Sequence, residues 1–307
     1  MSDNADSGGF LFKTGLFAIL AGIAYFFFNK SPQADEPVRP PTEYPAPNTN
    51  RPPEPAAPIP TDGPSTVPEV MLPVSTTGEI VRHRWFVLSY DEDHEQAEWV
   101  AYEITRDRLN ENWAARPNTF RPDPDVRTES ATPRDYNSSG YDKGHLCPAA
   151  DMAFSEAAID ESFLMSNMSP QVPSFNAGIW RELEELTRDW ARQFKHLYVV
   201  TGPVLNEPGL QQIGFSKVTV PGAFYKVLVA PEQQRAIAFI LPNAVSNQSV
   251  MEYACSIDKV ERRTGLDFFP KLLKGLNEEL EGSLDKNAWP INRQREQERI
   301  ESWNLKR

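Results

Sequence analysis

"SGYDKGHLCPAADM", Ser139–Met152, carries one of only four histidines among 307 residues. His145 follows Gly144 directly, behind Asp142 and Lys143, with Cys147 and Pro148 just beyond. Glycine lets the backbone turn or approach a neighbour where a side chain would obstruct it. An ionisable ring placed there, between polar turns, nominates chemistry. Taken alone, His145 would still read better as a satisfied structural histidine. The other three have plainer settings. His83 alternates with Arg82 and Arg84, His94 lies in an acidic turn, and His196 stands beside Lys195 at the start of an apolar run. Each of those three reads as a surface residue.

The downstream segment "SNMSPQVPSFNAGIWRELEEL", Ser166–Leu186, changes the weighing of His145. Asn167, Gln171 and Asn176 are amides set among prolines just ahead of a helical pattern, in which Ile179, Leu183, Leu186, Trp190 and Phe194 recur at three- and four-residue steps. Eight positions separate Asn176 from Glu184, about two turns and roughly 80° around a regular helix. An amide oxygen and a carboxylate on one flank suit a hard cation that keeps most of its water, as magnesium does. Zinc fits poorly, because no second His or Cys other than Cys147 lies at ligand spacing to His145. The plainer reading makes Asn176 a helix cap and Glu184 a solvated charge. A Cys147–His145 nucleophile lacks a third orienting group.

Around this core the pattern is mixed. "EIVRHRWFVLSY" (Glu79–Tyr90) and "AEWVAYEIT" (Ala97–Thr105) flank the polar "DEDHEQ" and predict a hairpin. Further strands are expected at Leu197–Leu205, Lys217–Ala230 and Arg235–Pro242, with a bend or bulge at Pro221. Helices are expected around Cys255–Thr264, closed by Gly265, and around Pro270–Leu280. Strands cluster before and after a helical middle, which predicts an α+β fold.

Phe10–Phe28, "FLFKTGLFAILAGIAYFFF", is nearly all apolar, and its 19 residues would span roughly 28 Å as a helix. A retained transmembrane anchor is preferred to a cleaved signal or a buried core helix, since Asp3 and Asp6 precede the run and no small-x-small site follows it. Lys13 and Lys30 flank it on opposite sides and leave its orientation weakly determined. The expected organisation is a polar tail (1–9), an anchor (10–28), a disordered Pro-rich linker (29–75), a folded domain (76–285) and a charged peripheral tail (286–307). Nine acids and four bases in residues 1–80 leave 34 acids and 27 bases beyond, a net −7. That argues against high-affinity, salt-driven nucleic-acid binding but not against an enzyme holding phosphates locally. Cys147 and Cys255 are too few for a disulfide framework and read as free thiols.

Five segments taken together, "YDKGHLCPAADM", "LMSNMSPQVPSFNAGIWRELEE", "YVVTGPVL", "VPGAFYKVLV" and "VERRTGLDFF", resemble the DNA/RNA non-specific endonucleases, the ββα-metal nucleases. The resemblance runs in order from about Val81 to Phe269. It implies a mainly antiparallel sheet flanked by helices and sequence-indifferent hydrolysis of DNA and RNA to 5′-phosphorylated ends. His145 matches the family's general base, Asn176 its Mg2+ ligand, and Glu184 the acid that orders water on the metal. Mn2+ could stand in for Mg2+. Asn167 and Gln171 match supporting amides that line the site. Arg116 is the better match to the phosphate-contacting arginine, with Arg121 its rival. Asp142, Lys143, Gly144 and His145 stand where the family has Asp-Arg-Gly-His, so the guanidinium fork is lost at Lys143. The expected partners are DNA and RNA as substrate and a membrane through the N-terminal helix, with a homodimer left open. The expected location is membrane-anchored, with the catalytic domain outside the cytoplasm. The competing readings are a catalytically inactive, membrane-tethered nucleic-acid-binding module of the same fold and a stalk-borne adhesin.

Overall fold

The structure, a computed structural model, describes residues 65–74, 77–111, 113–117, 119–276 and 279–305. The apolar 10–28 segment and residues 29–64 lie outside them. Among the described residues no helix is long and apolar enough to cross a membrane.

Seven antiparallel strands form the main sheet, in the order β1 (Glu79–Arg82), β2 (Phe86–Asp91), β3 (Gln96–Thr105), β6 (His196–Pro203), β9 (Ala223–Ala230), β10 (Arg235–Pro242) and β11 (Ala254–Cys255). Successive side chains of a strand face opposite ways, and here both faces are covered. Phe86, Leu88, Val100, Tyr102, Phe224 and Phe239 join one core with Leu183, Trp190 and Phe194 of the long helix Arg181–Phe194. Val87, Trp99, Ala101, Tyr225 and Val227 join a second core with Ile257, Val260 and Leu273. Those residues come from the helices Ile257–Thr264 and Pro270–Leu276. Two-sided burial explains why the strands read as apolar runs rather than clean alternations. The α+β expectation and the mainly antiparallel sheet flanked by helices hold.

A separate two-stranded ribbon, β4 (Asp142–His145) with β5 (Met168–Gln171), pairs Asp142 with Gln171 and His145 with Met168. Two residues later the chain enters the helical segment that leads into the long helix, so ribbon and helix form one ββα unit. Gly265 closes the helix Ile257–Thr264 in the left-handed conformation that glycine favours. Pro221 falls between β8 (Val218–Thr219) and β9, so the single strand expected over Lys217–Ala230 is two strands in separate sheets rather than one with a bend or bulge. β8 pairs with β7 (Gln212–Ile213) in a small second ribbon.

Several expectations need correction. Glu79–Tyr90 is two paired strands rather than one, because the chain reverses at His83–Trp85 and His83 N–H returns to the Phe86 carbonyl at 3.0 Å. The helix expected around Pro270–Leu280 is found at Pro270–Leu276 and Glu279–Gly282, on either side of residues 277–278, which lie outside the described residues. The linker does not extend to residue 75. Met71 is fully buried in the second core, and Val74 bridges to Asp267. Residues 286–307 do not form a peripheral tail either. Trp289 packs edge-on against Trp190 at 5.1 Å, and Arg299 of the C-terminal helix Arg293–Glu301 is fully buried. Large aromatics hidden among many charges carry little weight in a composition reading, yet each can bury 150–250 Å².

Candidate active site

Gly144 is required by close approach. A methyl group there would collide with Cδ and Oε1 of Gln171, because the Gln171 side chain lies across the ribbon over Gly144. Asp142, on the same ribbon face as Gly144, accepts a hydrogen bond from Asn176 Nδ2 at 2.9 Å. The amide nitrogen of Asn176 is thereby committed, which leaves its oxygen to face away from Asp142 as the remaining acceptor. Asn176 begins a kinked π-type turn, Asn176–Trp180, in which Gly178 leaves helical geometry at φ −104°, ψ −114°. π-Turns are rare and concentrate at functional sites. This one also corrects the regular-helix angle expected between Asn176 and Glu184, since five residues here follow a wider turn.

Lys143 and His145 alternate with Asp142 and Gly144 along the strand, and aromatic rings gather around both. The Lys143 ammonium lies 5.2 Å from the Phe120 ring and 5.7 Å from that of Tyr136. His145 meets Phe163 edge-on at 4.9 Å and Phe120 at 5.8 Å, centroid to centroid. Its Nε2 is buried without a hydrogen-bond partner. Burial, reinforced by the positive charge of Arg116, lowers the His145 pKa to about 3. The ring is therefore neutral across the physiological range.

The structure separates the two candidate arginines. Arg116 stacks over the same Phe163 ring at 5.2 Å and is exposed. Arg121 is tied to Asp160 by a 2.7 Å ion pair and by a 3.1 Å bond to the Asp160 carbonyl. Asn167 is engaged with backbone groups beside His145. Its oxygen accepts from Cys147 N–H at 2.8 Å, and its nitrogen donates to the carbonyls of Cys147 and Ser162, both at 2.9 Å. It fixes the backbone after His145, which is the supporting part of its expected role. Gln171 is the opposite case, with both amide atoms buried and unpartnered. Cys147 and Cys255 are free, as expected. Burial and the Asp151 charge push the Cys147 thiol well above its ordinary range, which removes it as a nucleophile.

Glu184 lies one helical turn before Arg188, above a buried polar network. Arg188 Nη1 bonds Asp151 at 2.7 Å, Tyr102 Oη donates to Asp151 at 3.2 Å, and Lys226 Nζ donates to Tyr102 at 3.3 Å. Burial raises the Glu184 pKa to about 7 despite the opposing pull of Lys226 and Arg188. Sequence reasoning misses Asp151, Arg188 and Lys226. A lysine inside the apolar run "FYKVLV" is a usable signal, since a fully buried lysine is rare unless paired.

His83, expected on the surface, is buried. Its Nε2 lies 2.8 Å from Asp123 and its Nδ1 lies 3.6 Å from Asp125. These three residues have metal-ligand spacing. However, the two carboxylates meet opposite nitrogens of one ring, and Asp123 is also bonded by Ser166 Oγ and by Asp125 N–H. That is the arrangement of a buried histidine held by one short hydrogen bond to Asp123, with Asp125 near its other nitrogen. Burial lowers the His83 pKa, but the hydrogen bond to Asp123 and the charges of Asp123, Glu161 and Asp125 outweigh it, and the net shift is upward. The stabilisation is complete below an unfolded pKa of about 6.5 and is lost as pH rises through the folded value. Denaturant unfolding from pH 5 to 9 should show this fall, and His83→Gln should flatten it. An equally steep curve in that variant would refute the assignment.

The family model described as DNA/RNA non-specific endonuclease matches residues 63–275. The chain belongs to this family. Relatives of these endonucleases include mitochondrial endonuclease G of Homo sapiens, 34% identical over 203 residues, which are 61% of this chain and 68% of that one. Mitochondrial nuclease EXOG of Danio rerio is 36% identical over 205 residues, covering 61% and 60% of the two chains. A nuclease of Nostoc sp. is 33% identical over 217 residues, covering 65% and 76%. The chain thus spans about two thirds or less of the two mitochondrial relatives. A crystal structure of an EndoG/EndoGI complex aligns with a TM-score of 0.60 at 29% identity, covering 67% of this chain and 90% of that one.

Proposed function

We propose that this endonuclease hydrolyses phosphodiester bonds in both DNA and RNA without sequence preference, with His145 as general base and Mg2+ as cofactor, leaving 5′-phosphorylated ends. The observation that carries this reading is the ββα unit itself. Asp142 holds Asn176 by its nitrogen, while on the same four-residue strand His145 stands neutral beside Arg116. Buried polar atoms without partners cost free energy unless something else satisfies them, and Gln171 contributes two of them next to Gly144. The free Asn176 oxygen, with Gln171 close by, fits a hard cation that needs few protein ligands.

A neutral imidazole at residue 145 accepts the proton of the attacking water as the new P–O bond forms. Arg116, seated on Phe163, places its guanidinium where a charged fork binds phosphate oxygens. Lys143 adds a second positive charge, held in place by Phe120 and Tyr136. A carboxyl near pKa 7, as at Glu184, can hold or release a proton at neutral pH, and a water it orders can protonate the departing 3′ oxygen. A bound Mg2+ would neutralise charge developing on the non-bridging and leaving oxygens. Contacts of this kind read phosphate rather than base edges, which makes cutting indifferent to sequence.

Supercoiled plasmid and single-stranded RNA, incubated with the full chain and Mg2+, should both be cut, and EDTA should stop the cutting. End-labelling should find 5′-phosphates. Cutting that survives EDTA would overturn the cofactor assignment. Binding without cutting in either Mg2+ or Mn2+ would instead establish an inactive nucleic-acid-binding module.

A further inference from the structure

The family match ends at residue 275, yet residues beyond it lie against the element that carries Asn176. Three contacts join the C-terminal segment to the turn and to the start of the long helix. Arg299, fully buried, bonds Glu182 through Nε and donates to the carbonyls of Ser246 and Gln248. Trp303 lies beneath the Arg181 guanidinium at 4.1 Å. Asn304 reaches the π-turn itself. A methyl group at Gly178 would come within 2.6 Å of Asn304 Oδ1, and that oxygen is buried without a partner. The Asn304 nitrogen is meanwhile anchored to the Ser246 carbonyl at 2.9 Å.

We propose that the C-terminal segment Arg293–Leu305 is a positioning clamp that sets the π-turn Asn176–Trp180 and, through it, the aim of the Asn176 side chain. The inference rests on the reading of Asn176 as a metal ligand. The kink at Gly178 interrupts the repeating helical hydrogen-bond ladder, so contacts from neighbouring elements help set the direction of the turn. Gly178, whose backbone is not helical, is the residue that Asn304 touches. Arg299 binds the first turn of the long helix to the 246–248 loop, so the turn is fixed from its C-terminal side. Asp142 fixes it from the other side at Asn176. Arg299 and Asn304 would thus act on the metal ligand without touching metal or substrate. Residues that orient a ligand in this way typically change metal affinity 10–100-fold when replaced.

The test uses the full chain with Mn2+ as the probe, read by electron paramagnetic resonance, together with hydrogen exchange of residues 175–181 in the metal-free protein. Asn304→Ala and Arg299→Met should weaken Mn2+ binding about 10-fold and raise exchange within Asn176–Trp180. Arg299→Lys, which keeps the charge beside Glu182, should recover part of both effects. Cleavage at saturating Mn2+ should return towards the parent rate. Val81→Ala, a core change in β1, is the control for general destabilisation and should leave Mn2+ affinity alone. The clamp is refuted if Asn304→Ala, folded by circular dichroism, binds Mn2+ within twofold of the parent and exchanges no faster at 176–180. It is also refuted if Val81→Ala weakens Mn2+ binding as much. Failure of the parent protein to bind Mn2+ would refute the metal reading instead, and the clamp would then stand or fall on the exchange data.

Discussion

Replacing His145 by alanine is expected to lower cleavage by about 10²–10⁴-fold, the range that a positioned general base supplies, while the domain stays folded. The fold should survive because no hydrogen bond depends on Nε2, which is already unpartnered. What is lost is ring packing against Phe163 and Phe120. The measurement is kcat/KM on a short duplex beside a thermal melt, and activity within about threefold of the parent would sink the assignment. A signature in pH accompanies it. The folded ring resists protonation down to about pH 3, whereas an unfolded histidine takes up a proton near 6.5. Between those values the unfolded state binds more protons, so stability rises with pH across that window. His145→Ala should remove that part of the slope.

Arg116→Ala and Arg121→Ala should behave as opposites. Arg116 is exposed and stacked on the ring that also supports His145. Its loss should reduce kcat/KM about 10²-fold, as expected when one donor to a developing phosphate charge is removed, with little change in melting temperature. Arg121 is spent on Asp160. Its loss should leave cleavage near the parent level and cost roughly 0.2–1 kcal/mol of stability, the usual scale for a partly exposed pair. Steady-state kinetics with chemical denaturation of both variants decides the matter. Equal loss of activity in the two would contradict the assignment of Arg116.

Much of this site is legible in the linear order of residues. The glycine before His145, the amides among prolines and the helical periodicity beyond them are local signals, and local signals survive in a linear reading. The ribbon register and the turn that leads into the long helix then bring Asp142, Gly144, Gln171 and Asn176 together. His83 shows where such reading stops. Flanked by two arginines, it has the local pattern of a surface strand, but its partner Asp123 lies forty residues away. Asn167 and Gln171 look equivalent in sequence, yet one is consumed by backbone groups and the other is left unpartnered. Nothing within a few residues of either amide distinguishes them.

By itself the sequence determined the strand and helix periods and the αL stop at Gly265, and it nominated His145, Asn176 and Glu184, because each is written in neighbouring residues or in the order of short motifs. Only the tertiary structure decided which arginine is tied to Asp160, that His83 is buried against Asp123, and that Arg299 and Trp303 are buried. Those outcomes depend on which charges and rings meet across long stretches of chain. Burial then sets what the charges cost, lowering the His145 pKa to about 3 and raising that of Glu184 to about 7. A pKa of this kind belongs to an environment, and the environment exists only once the chain has closed around it.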